Sequence, residues 1–144
     1  MWKLLIEGLG KECRFAHRAD TSDIAQAESK LDLKLPDCLK SCLLETDGVL
    51  GEYDLGLVWP LDTIIATNIQ FRESVDFSEL YMPFNSMLFF ADAGNGDQFF
   101  FPLQGNKVRR DDVFVWSHEC DSRSWVAPSM QKYIEWWIEG KISV

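Results

Sequence analysis

The spacing of apolar residues changes character along the chain. It is helical first, alternating in the middle and helical again at the end. Met1 to Leu9 reads as a short helix ended by Gly8 and Gly10, followed by a polar connector that anchors Phe15. Thr21, Ser22 and Asp23 offer capping oxygens, and Ile24, Ala27 and Leu31 recur at three and four, so a helix runs to about Leu31. Pro36 opens another helix, where only an amide that would be unpaired anyway is missing. Leu39, Cys42 and Leu43 form its inner stripe, and Gly48 supplies the left-handed geometry to stop it.

From Tyr53 the period shortens. Tyr53, Leu55, Leu57 and Trp59 alternate with Asp54, Gly56 and Val58, which predicts a strand with one buried face. Pro60 to Gln70 fits either a short helix, with Asp62 as cap, or a second strand. Arg72 to Asn85 is polar, contains Pro83 and reads as a surface excursion. Met87-Leu88-Phe89-Phe90 and Gln98-Phe99-Phe100-Phe101 flank Gly94-Asn95-Gly96, a hairpin signal because Gly and Asn tolerate positive φ. Both runs are almost uniformly apolar, which predicts a central hairpin covered on both faces. Val113 to Trp116 adds a strand after a turn at Gly105-Asn106. Met130, Tyr133, Ile134, Trp137 and Ile138 then fall on one helical face, ended by Gly140, with Ile134 and Trp137 against the sheet. Helices, an antiparallel sheet and a closing helix make an α+β fold, and with no linker or repeat to divide it, residues 1–144 read as a single domain.

Composition supports this and narrows the function. At 144 residues the chain suffices for one core, and 47% hydrophobic content argues against disorder. The longest aliphatic and aromatic run, Met87 to Ala91, is far short of the ~20 residues of a membrane span. The N-terminus breaks at Gly8, too early for a signal-peptide core, which predicts a cytoplasmic protein. The net charge of −9 arises entirely in residues 45–97, where Glu45, Asp47, Glu52, Asp54, Asp62, Glu73, Asp76, Glu79, Asp92 and Asp97 face Arg72 alone. Such a surplus either keeps the region soluble or attracts a basic partner; both disfavour direct nucleic-acid binding. As a partner surface it would use Glu52, Asp54, Glu73, Asp76, Glu79, Asp92 and Asp97.

No catalytic constellation emerges. Cys13 and Cys120 are isolated, and Cys38 and Cys42 share a helix face without the paired spacing of a four-cysteine zinc site, so all four read as reduced thiols. His118-Glu119-Cys120-Asp121 holds a cysteine and a histidine, but neighbours on extended chain point apart, and a polar turn explains them. Asp92 to Asp97 fails as a calcium loop, because Gly94 takes a ligand position and the closing position falls at Leu103. Gly94 and Gly96 precede a strand, unlike a phosphate-binding loop. The phenylalanines read as core rather than as a ligand pocket. Neither a metal nor a cofactor is implied.

The order of small motifs resembles the SUKH superfamily, the domain shared by a yeast cell-wall-synthesis regulator and many bacterial proteins. The likeness runs from about residue 20 to 140. Glu28 on a helix precedes Leu35-Pro36. A helix then closes at Asp47-Gly48, where the family more often has Asn-Gly. Val58-Trp59 and a short helix near Leu61 to Asn68 follow, then Gly94-Asn95-Gly96-Asp97 and a C-terminal amphipathic helix. Leu35, Pro36, Gly48, Trp59, Gly94 and Gly96 are thereby marked as structural positions. The resemblance implies an α+β fold without catalysis. In bacteria it implies an immunity protein that binds and neutralises a cognate polymorphic toxin, here a basic toxin domain. The alternative it leaves is a regulatory or scaffolding module, and the oligomeric state stays open.

Overall fold

Two antiparallel sheets and six α-helices form in the computed structural model, which describes residues 1–144. The helices are α1 (Trp2–Gly8), α2 (Thr21–Leu31), α3 (Asp37–Leu43), α4 (Leu61–Glu73), α5 (Val75–Leu80) and α6 (Met130–Ile138). A small sheet orders β1 (Arg14–Phe15), β2 (Val49–Leu50) and β3 (Gly56–Val58). A larger one orders β4 (Met87–Asp92), β5 (Gln98–Pro102), β6 (Val113–Trp116) and β7 (Arg123–Ala127). The Trp59 N–H donates to Phe90 O (2.8 Å) and links the end of β3 to β4. One cluster of 35 buried apolar residues spans both sheets, so they share a core. This is the α+β architecture expected. No helix is long and apolar enough to cross a membrane.

Local chemistry explains where the early helices begin and end. The Asp23 carboxylate accepts the Asp20 N–H at the start of α2 (3.0 Å). Glu28 accepts the Leu35 N–H (2.8 Å) and pairs with Lys40 (3.4 Å), which fixes the link into α3. Pro36 is the N-cap of α3, and Leu35 beside it is 2% exposed. Gly48 has the expected positive φ (+93°) but does not stop this helix, which closes at Leu44. A Cβ on Gly48 would lie 2.7 Å from Pro60 N, so glycine is needed where the chain passes Pro60. The Asp47 carboxylate accepts the Leu61 N–H (2.8 Å) and caps α4, which resolves the ambiguous Pro60–Gln70 segment as helix.

The hairpin stands where the sequence placed it. Gly94 and Gly96 have φ of +92° and +95° in the tip, and both flanking strands are buried on both faces. On one face Phe89 and Trp116 meet Phe71 of α4 and Phe84. On the other, Phe90 and Phe99 meet Tyr133 of α6. Three further expectations are overturned. The strand does not begin at Tyr53: Glu52–Asp54 is a 3₁₀ turn with positive φ at Tyr53 and Asp54, and Tyr53 is 99% exposed. The polar stretch after Arg72 contains α5, whose Phe77 packs edge-on against Phe71 and, with Tyr81 and Phe84, covers the sheet. In α6, Ile134 is fully buried, but Trp137 is only partly so, its ring meeting Phe99 at 5.2 Å. Strand β7 had no counterpart in the sequence reading.

Candidate functional site

One end of the larger sheet brings together polar side chains from distant parts of the chain. The register Asp92↔Gln98, Gln98↔Trp116 and Trp116↔Arg123 defines that end. Beyond it lie the hairpin tip, residues 93–97, and the β6–β7 turn, residues 117–122. Leu55 approaches Gly94 from the 3₁₀ turn, and the Tyr81 hydroxyl at the end of α5 donates to His118 O (2.9 Å). Four segments distant in sequence therefore converge on one rim.

Two carboxylates hold the rim together. Asp97 Oδ1 accepts the His118 backbone N–H (3.0 Å) and lies 2.6 Å from His118 Nδ1, while Asn95 donates to its other oxygen (3.3 Å). Gly96 allows the close fit, since a Cβ there would sit 2.8 Å from the imidazole Cε1. Asp121 accepts from the Met82 N–H (2.9 Å), the Trp116 indole (2.8 Å) and Arg123 (2.9 Å). Burial would raise both acids, but the hydrogen bonds outweigh it, and both sit below the ordinary aspartate value.

A folded-state value below the unfolded one of about 3.9 means that Asp97 contributes stability above pH 4. That contribution disappears as pH falls through the lowered folded value. Asp97→Asn is therefore expected to cost about 1.5–3 kcal/mol near pH 7. It should also flatten the loss of stability below pH 4, as read by denaturant titrations across pH. An unchanged acid limb would remove Asp97 from this role.

The acids named from sequence sit on separate elements, and one of them, Asp97, is turned inward. Glu52 and Asp54 sit on the 3₁₀ turn, pairing with Lys11 and Arg14. Asp92 is half-buried close to Gly56. Asp97 is turned inward at 8% exposure. Glu79 is near the end of α5, with exposed Leu80 and Met82 beside it. Glu73 and Asp76 lie at the α4–α5 elbow, and the adjacent Arg72 donates to Met87 O at the opposite end of β4. Two further members of the surplus act as caps: Asp47 on α4, and Glu45, which accepts the amides of Trp2 and Lys3 and pairs with the N-terminal amine. Charge counting could not separate such internal acids from free ones.

The remaining chemistry is modest. Burial pushes the Cys42 thiol up to about 12 and raises Cys38 further. Cys120 is exposed, and hydrogen bonds with Ser117 and Ser122 lower its thiol. No group of three or more His, Cys, Asp or Glu side chains is placed to hold a metal ion. The residues missed from sequence are the exposed Val75, Leu80 and Met82; a helical period through Val75-Asp76-Phe77-Ser78-Glu79-Leu80 was the available signal.

The family model described as SMI1-KNR4 cell-wall (SUKH_6) matches residues 21–134, from the first turn of α2 to Ile134 of α6. No curated protein matches the chain.

Proposed function

Because the chain belongs to the SMI1-KNR4 (SUKH) family over residues 21–134, we propose that it is a non-enzymatic, cytoplasmic immunity protein. It binds a cognate toxin domain directly and blocks it. Family membership is the observation that carries this reading. Physical support comes from exposed acids set beside exposed apolar side chains: Glu79 beside Leu80 and Met82, and Glu52 and Asp54 around Tyr53. A basic toxin domain would be drawn to the acids, and the apolar side chains would bury on contact.

Co-expression with the product of the adjacent gene, scoring rescue from any toxicity it has, tests the proposal. Growth should be rescued, and the two purified proteins should form a stable complex. Asp76→Lys with Glu79→Lys should slow association about tenfold and weaken its dependence on salt, with the fold intact. Absence of rescue, with the chain recruited instead to a host complex, would favour a regulatory or scaffolding module.

A further inference from the structure

A groove of about 320 Å³ lies between the 3₁₀ turn and the C-terminal end of α6. Its floor is Leu55, Leu57, Trp137 and Ile138, and Tyr53 and Glu12 stand on its rim. A second, charged recess of about 290 Å³ shares that rim and contains Glu12, Glu52, Asp54 and Arg14. We propose that this double recess seats one large apolar side chain and an adjacent lysine or arginine from the protein partner. The partner's identity rests on the immunity reading; the chemistry of the seat does not.

Tyr53 is the first argument. It is 99% exposed, yet its backbone is held at φ +59° and ψ +28°, and Asp54 follows at φ +58°. Left-handed backbone is uncommon outside glycine, and an aromatic ring in full solvent contributes nothing to the core. The turn is also braced by backbone hydrogen bonds: the Gly51 N–H donates to Leu55 O (2.8 Å) and the Leu55 N–H donates to Glu52 O (3.2 Å). The ring is thus presented on a fixed backbone, and binding would lose little conformational freedom there. Stability alone does not account for that arrangement. Tyrosine and tryptophan are also residue types enriched at interface hot spots, and Trp137 lines the same groove.

Charge chooses the occupant. Glu12, Glu52 and Asp54 outnumber Lys11 and Arg14 around the two recesses, and Glu12 has no ion pair. The Glu52 and Asp54 pairs are exposed, so a partner cation can exchange into them at little loss. The apolar recess sits at the small end of the ~300–1,000 Å³ range of ligand pockets, which suits a single side chain better than a whole cofactor.

A phage-displayed library of random dodecapeptides, panned on the full chain, tests this. Recovered sequences should place an aromatic or large aliphatic residue within a few positions of lysine or arginine. A synthetic copy of one should bind at least tenfold more weakly to Tyr53→Gly and to Glu52→Lys. Tyr53→Gly relieves the left-handed backbone, so its Tm should be unchanged or raised, which separates lost binding from lost fold. No enrichment, or peptides that bind Tyr53→Gly equally well, overturns the proposal. So does a metabolite library that yields a small-molecule ligand of this groove where the peptides yield none. In the toxin assay, rescue by both variants at wild-type strength would sink the groove and leave the immunity reading standing. Failure of the wild type to rescue, with the peptide result holding, would do the reverse.

Discussion

Phe89→Ala is expected to lower the unfolding free energy by ~3–5 kcal/mol. Phe89 is fully buried at the centre of an aromatic cluster, with ring centroids 4.9 Å from Phe71, 5.7 Å from Phe84, 5.7 Å from Phe100 and 5.9 Å from Trp116. Those rings come from α4, from the loop after α5 and from two strands, so they cannot all move into the vacated space. Close-packed interiors relax only partly, and the cavity adds to the lost transfer energy. Phe89→Leu keeps most of the volume and should cost less than about 1.5 kcal/mol. Denaturant unfolding reads both, with an unchanged slope showing that the midpoint shift is stability. An alanine variant within 1 kcal/mol of wild type would contradict the packing described.

Asn68→Leu should be nearly as damaging for a different reason. Asn68 is 1% exposed on α4, and its amide donates to Phe89 O (2.9 Å) and Ile64 O (2.7 Å) while accepting the Phe89 N–H (2.9 Å). The β5 side of β4 is paired along its length, whereas the other side meets the small sheet through Trp59 alone among these backbone bonds. Asn68 stands in for a missing strand partner. Leucine fills the same space and leaves both Phe89 groups without partners in the core. Each of the two orphaned groups costs ~1–3 kcal/mol, for an expected loss of ~2–6 kcal/mol. Hydrogen exchange at the Phe89 amide should accelerate in parallel; slow exchange in the leucine variant would show that another group takes over.

Much of the fold was legible because its signals are local. The hairpin announced itself through Gly94-Asn95-Gly96 between two apolar runs, and α6 through an apolar stripe that needs no tertiary information. Asn68 gave no such signal, since nothing in a polar side chain mid-helix tells which backbone groups will lack partners. Tyr53 misled because alternation reports side-chain identity and not φ: two left-handed residues break the strand that the pattern spells. Strand β7 stayed hidden because Arg123-Ser124-Trp125 is polar or exposed, as suits the outer strand of the sheet. The candidate site was legible as charge and not as geometry. Glu45, Asp47 and Asp97 look the same as Glu52 and Glu79 in a sequence, and only their hydrogen bonds show them to be caps and ties.

The two sheets also differ in how far apart their strands lie along the chain. β4 to β7 are consecutive, each paired with its successor, so the larger sheet assembles by closing short loops. The small sheet instead joins Arg14 to Leu50 across two intervening helices. Loop-closure entropy makes the first process fast and the second slow. The meander is therefore expected to act as the folding nucleus, with the N-terminal half docking late. Substitutions in its hairpins should slow folding, whereas those around β1 and β2 should chiefly speed unfolding.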